Sequence, residues 1–133
     1  LERGVKMPAL ETLDDAPWIP YEGFMRALVL RGNPGEVGEL LVDFPPDAAE
    51  DNELHVHPAS DRVVTVLRGS GTFVAVRNDE RLELSLVAGD RVWMPRGILH
   101  SFFSGSEGLL VHSIHLPWID LDDPQALVYP TSV

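Results

Sequence analysis

Apolar and polar positions alternate in short runs along most of this chain, and glycine and proline cut the runs. Residues 26–31, Arg-Ala-Leu-Val-Leu-Arg, read as a short strand, followed by the turn signal Gly32-Asn33-Pro34-Gly35. Residues 38–44 form the next strand, stopped by Pro45-Pro46. A polar loop over residues 47–52 leads into a strand carrying His55 and His57, broken by Pro58. Residues 63–67 are strongly β-branched, as a buried strand is. Gly69-Ser70-Gly71 marks a bend or bulge before a further strand over 72–76. A charged hairpin tip spans 77–81, and residues 82–86 alternate so as to leave one wet face. After the turn at Ala88-Gly89-Asp90 come strands over 91–94, 100–103 and 109–116, with a further turn over 105–108. No segment repeats with a helical period. Many short strands closed by Gly and Pro turns predict an all-β sandwich or barrel.

A chain of 133 residues with 11 Gly and 11 Pro is one domain with a single core. Residues 1–25 hold Pro8, Pro17 and Pro20 and read as an extended arm whose Trp18, Tyr21 and Phe24 pack on the body. Residues 26–116 form the barrel, and 117–133, acidic and then proline-punctuated, a tail along the surface. Met7 reads as the natural start, with residues 1–6 as a cloning remnant. The net charge of −11 repels nucleic acid and anionic lipid, so neither is an expected partner. Without cysteine there is no disulfide framework and no thiolate zinc site. No apolar run approaches the ~20 residues of a membrane helix, and the expected location is the cytoplasm.

The candidate chemistry lies in three histidines. Side chains two apart on a strand leave the same face, so His55 and His57 can point together into one cavity as a metal chelate. A second stretch, Gly89 to His100, ends in a third histidine. The serines show no nucleophile-elbow pattern, which disfavours a serine hydrolase.

These two stretches resemble the two signature motifs of the cupins, small double-stranded β-helix (jelly-roll) barrels. His55-x-His57, Arg62 and Gly69 follow the spacing of the first motif, and Gly89, Pro95, Gly97 and His100 that of the second. Ala49 stands where the first motif opens with Gly, Arg62 where it has Glu, and Ser104 where the second ends in Asn. The resemblance implies a divalent metal on His55, His57 and His100: iron first, with zinc, nickel, manganese or copper as alternatives. It also implies a homodimer, with which the proline-rich arm is compatible.

Arg62 is the departure that matters, because a guanidinium has only donors and cannot bind a metal. Three readings stay open. In one, three histidines hold the metal, and an anion offsets the charge: a carboxylate substrate clamped by Arg62, or Glu39, Glu53 or Asp61. In another, Asp61 is the acid ligand, its extra residue absorbed by a bulge. In the third the metal is lost and Arg62 anchors a binding or sensor barrel. Phe102 is a candidate pocket wall. His112 and His115, three apart, leave opposite faces, so at most one borders the pocket; His112 is the candidate. The expectation is a non-haem iron dioxygenase or related enzyme acting on a small, anionic organic molecule that Arg62 orients. The rival is a non-catalytic small-molecule-binding or sensor barrel.

Overall fold

The computed structural model describes residues 15–22, 25–48 and 53–130. The expected start at Met7, the arm before residue 15, Phe24, Ala49 and the rest of the loop over 49–52 lie outside them. Seven strands follow in order: β1 Ile19–Tyr21, β2 Met25–Arg31, β3 Gly38–Phe44, β4 Asp61–Arg77, β5 Glu80–Val87, β6 Arg91–Met94 and β7 Leu99–Leu116. Among the described residues there is no helix, and hence none long and apolar enough to cross a membrane.

All pairing is antiparallel along the path β1-β2-β3-β7-β4-β5, with β6 added to β4. The first half of β4 runs between β6 and the second half of β7, whose far side pairs with β3. The second half of β4 runs between β5 and the first half of β7. Two long strands thus serve both layers, and the sheet folds over into a double-stranded β-helix, a jelly roll.

Gly69-Ser70-Gly71 shifts the register within β4, as a bulge there would, whereas 105–108, expected as a turn between strands, lies within the continuous strand β7. Gly69 pairs with Leu109 while Gly71 pairs with Ser104. Gly69 has φ +87°, and a Cβ there would overlap the carbonyl oxygen of Gly108, so the crossing needs glycine on both counts. Ser104 secures the same end of the barrel, since its hydroxyl accepts from the Ala48 amide at 3.0 Å and donates to the Pro45 carbonyl.

Alternation decides which side chains enter. Arg62, Val64 and Val66 of β4, Val111, Ser113 and His115 of β7, and Leu40, Val42 and Phe44 of β3 are buried inside. On the outer face, Leu28, Leu41 and Leu110 form a small second cluster covered by Trp18, over whose ring Arg26 sits at 4.3 Å. β5 was expected to have one dry face, yet only Leu86 is buried, because β5 is an edge strand.

Residues 117–130 are more integrated than a surface tail. Trp118 is buried in the main core, and its backbone bonds to Gly35 and Glu36. Further on, Val128 pairs with Val56 and Ala126 is buried. The tail also supplies Leu121, Ala126, Leu127 and Tyr129 to the wall of a pocket that borders Tyr21 and Arg62.

Candidate metal centre

His55 and His57 do not sit on a full strand. The segment makes two isolated bridges, His55 to His100 and Val56 to Val128. The alternation survives, and both side chains turn inward to meet His100 near the start of β7. Ring centroids lie 5.0 Å apart for His55 and His57, 4.6 Å for His55 and His100, and 5.0 Å for His57 and His100. One ring nitrogen from each lies within 4.8 Å of the others, and all three residues are buried.

The outer nitrogens fix the tautomers. Nδ1 of His55 bonds the Glu53 carbonyl at 2.8 Å, that of His57 the Ala126 carbonyl at 2.8 Å, and that of His100 the Ile98 carbonyl at 3.0 Å. A carbonyl oxygen can only accept, so each Nδ1 carries a proton, and in the neutral form of each ring the lone pair falls on Nε2. This is the outer-shell arrangement that orients histidines toward a metal. Burial, then the charge of Arg62, holds His57 far below the usual imidazole range. Burial, then His55, pushes His100 down to about 3. At neutral pH both rings are unprotonated, the state a metal requires. The residues fit a divalent metal ion.

Arg62 faces the same cavity and is 4% exposed. Its donors reach the Ser60 hydroxyl at 3.4 Å, the Tyr21 hydroxyl at 3.3 Å and the Ala126 carbonyl at 3.5 Å. Among the described residues no carboxylate forms an ion pair with it. A guanidinium buried on three long, neutral hydrogen bonds is far from satisfied. Phe102 lines the cavity as expected, packed against Phe73 with ring centroids 4.9 Å apart.

Two expected pocket residues lie elsewhere. Asp61 is the neighbour of an inward residue and so points out, where its Oδ1 accepts from the Arg96 amide at 2.8 Å and from Arg96 Nε at 3.0 Å. Arg96 holds its carboxyl below the usual range. Asp61 is not a cavity residue: β4 does bulge between Val66 and Arg68, within the stretch from Asp61 to Gly69, but the bulge leaves Asp61 on the outer face. His112 is also outside, bonded through Nε2 to Glu39 Oε1 at 3.0 Å. That contact, with Arg31 at 3.6 Å from Glu39, removes Glu39 from the site as well. His115 takes the inward place instead. It is fully buried, stacked on Trp118 with centroids 5.0 Å apart, and among the described residues neither ring nitrogen has a hydrogen-bond partner.

Among the described residues, the carboxylate that reaches the cavity is Glu22, just after β1. Its Oε1 lies 3.4 Å from His55 Nε2, and its side chain is 11% exposed. Beside it, Tyr21 stands between Glu22 and Arg62, hydrogen-bonded to both. Burial, reinforced by Glu22, raises the Tyr21 phenol well above its ordinary value, so it remains a donor. No local signal singles Glu22 out, because the arm has neither periodicity nor a ligand-spaced motif. The inner cavity encloses about 40 Å³. An outer chamber of about 340 Å³, walled by Ile19, Leu121, Leu127 and Tyr129, shares Tyr21, Glu22 and Arg62 with it.

A jelly roll with three convergent histidines inside defines the class: a small β-barrel equipped to hold a metal. The family profile described as Cupin matches residues 40–115, more than half of the sequence. The chain belongs to the cupin family. No curated protein sequence matches it. Among solved structures, KdgF from Halomonas sp. has a TM-score of 0.62 at 20% identity, over 80% of this chain and 93% of that one. Recombinant oxalate oxidase in complex with glycolate gives 0.63 at 17% identity, over 79% and 54%. The capsular polysaccharide assembling protein CapF from Staphylococcus aureus gives 0.69 at 15% identity, over 85% and 34%. The chain thus spans nearly all of KdgF, about half of the oxalate oxidase and a third of CapF. At these identities the likeness is one of fold.

Proposed function

We propose that this cupin is a metal-dependent enzyme acting on a small organic anion, with iron-dependent dioxygenation as the reaction class. The observation that carries this reading is the set of three histidines whose Nδ1 atoms are each committed to a backbone carbonyl, leaving three Nε2 lone pairs facing one another. A bound divalent metal would supply a Lewis acid there and, as iron, redox chemistry with dioxygen.

Arg62 occupies the position at which the first cupin motif carries its acid. A buried cation with only long, neutral hydrogen bonds attracts an anion, and its planar fork matches a carboxylate. Its role is to bind and orient the substrate's charged end. The apolar walls around it, among them Val64, Met94 and Phe102, exclude water from the rest. The small inner cavity admits only a few non-hydrogen atoms, so a larger substrate leaves its remainder in the outer chamber. Oxalate oxidase, a structural neighbour in complex with glycolate, handles ligands of this size and charge.

The test is metal content by plasma mass spectrometry on protein purified without a metal-affinity resin, wild type beside His57→Ala. Near-stoichiometric iron that the variant loses supports the reading and leads to oxygen-electrode assays with β-diketones, thiols and phenolic acids. Zinc or nickel would keep the site and replace the dioxygenase. No metal in either protein after reconstitution would refute the enzyme and leave a binding barrel anchored on Arg62.

A further inference from the structure

We propose that Glu22 is the fourth donor of the metal site: the carboxylate that the barrel strands do not provide is delivered by the N-terminal strand. The inference rests on the metal-site reading above and adds a residue to it.

The geometry starts from two atoms. Glu22 Oε1 faces His55 Nε2 at 3.4 Å. His55 donates through Nδ1 to the Glu53 carbonyl, so Nε2 presents a lone pair in the neutral ring, and an ionised carboxylate presents only lone pairs. Two such atoms repel unless a cation or a proton lies between them. Because the Nε2 atoms of His57 and His100 converge on the same space, a metal bridges these donors where a single proton could serve only one pair. The separation also suits a shared ion, since donors bonded at about 2.1 Å to one tetrahedral metal lie roughly 3.4 Å apart.

The surroundings aim the carboxylate. Glu22 has φ +45°, a left-handed conformation that residues with a side chain rarely adopt outside turns or constrained sites. β1 pairs with β2 through Tyr21 and Met25, which places Glu22 at the tight exit of the strand, over the cavity mouth. The Tyr21 hydroxyl is hydrogen-bonded to Glu22 and accepts from Arg62 at 3.3 Å, a relay that holds the acid in position as partners of metal-bound carboxylates do.

Glu22 also resolves the charge of the centre. Among the described residues, no carboxylate other than Glu22 lines the cavity to balance a divalent ion beside a buried guanidinium: Glu39 and Asp61 are engaged on the outer face, and Glu53 is exposed. With Glu22 as ligand the formal charge falls by one. The ion on one side of Glu22 and Arg62 beyond Tyr21 on the other are then both offset by the same carboxylate. Residues 19–22 would thereby be tied to the barrel through the metal, and metal binding and closure of the cavity mouth would be one event.

The experiment is anaerobic titration of the metal-free full chain with Fe(II), and with Co(II) as spectroscopic probe, for wild type, Glu22→Gln, Glu22→Asp and His57→Ala. Affinity is measured by competition with a chelator and coordination by the Co(II) visible spectrum. Glu22→Gln keeps the size of the side chain and a hydrogen-bonding partner for Tyr21, and circular dichroism checks that each variant is folded. The expected result is a loss of at least tenfold in affinity for Glu22→Gln with a changed Co(II) spectrum, and a smaller loss for Glu22→Asp. An affinity within twofold of wild type and an unchanged spectrum in Glu22→Gln, while His57→Ala binds neither ion, would overturn Glu22 as ligand and leave the three-histidine site standing. Failure of the wild type to bind either ion would overturn both readings.

Discussion

Replacing Arg62 with methionine should stabilise the metal-free protein while removing its capacity for small carboxylates. Methionine follows the unbranched stem of arginine and adapts to irregular space. Arg62 is 4% exposed and has no carboxylate partner among the described residues, so folding strips its charge of water without a matching ion pair. Replacing even a paired buried charge and its partner by apolar side chains of similar volume is often neutral or stabilising by about 1–4 kcal/mol, and Arg62 has no Coulombic partner to lose. Against that stands the loss of three hydrogen bonds at 3.3–3.5 Å. At that length each sits at the weak end of the range, about 0.5 kcal/mol. Two of the acceptors keep other partners, since the Ala126 carbonyl still accepts from His57 and the Tyr21 hydroxyl still meets Glu22. The net expectation is a gain of about 1–2 kcal/mol, or roughly 3–6 °C in Tm for a chain of this size. Urea unfolding at pH 7 measures it, with the midpoint rising and the slope unchanged. Millimolar glycolate or formate should raise the Tm of the wild type and leave the variant unmoved. A variant destabilised by more than 1 kcal/mol, or one that still responds to glycolate, would refute the view of Arg62 as a strained anion receptor.

Three further outcomes follow from the same structure. His115 is buried and neutral, pushed down to about 2 by burial and by Arg62, so the unfolded chain takes up a proton first as the pH falls. Its share of the stability is complete above about pH 6.5 and is lost below that, at up to about 1.4 kcal/mol per pH unit, towards pH 2. Urea midpoints measured from pH 7 to 4 should therefore fall less steeply in His115→Phe than in wild type, and parallel curves would contradict this. Gly69→Ala combines a left-handed φ with overlap on the Gly108 carbonyl, and should cost more than about 2 kcal/mol. Gly89→Ala, at φ +97° with open space around it, should cost only about 1 kcal/mol, and equal losses by urea unfolding would discount the crossing at Gly69. Asp61→Asn should leave metal content by mass spectrometry unchanged, because that carboxylate is committed to Arg96 on the outside; loss of metal would restore Asp61 as a ligand.

The Arg62, Tyr21 and Glu22 arrangement links the two halves of the proposed chemistry. The guanidinium draws an anion towards the cavity, and the carboxylate offsets a metal on its other side. Both sit at the boundary between the inner cavity and the outer chamber, where a substrate's charged end would turn inward.

Local pattern alone was enough for strands such as Gly38–Phe44 and Arg91–Met94. There a short apolar-rich run lies between turn residues, and proline removes the next donor at a defined place. The same parity turned His55 and His57 together and sent His112 and His115 to opposite faces. Tertiary structure decided what depends on contacts between distant segments. Residues 105–108 look like a turn between strands in isolation, but they meet the bulge at 69–71 and become a crossing within the continuous strand β7. β5, at the edge of the sheet, is exposed everywhere but at Leu86. Asp61 and Arg62 are neighbours in sequence, and only the pairing of β4 with β6 and β7 determined which of them entered the cavity. Glu22 was invisible for the same reason. A carboxylate in a proline-rich arm has no periodicity to mark it, and its place beside His55, 33 residues away, exists only once β1 has paired with β2 and the barrel has closed.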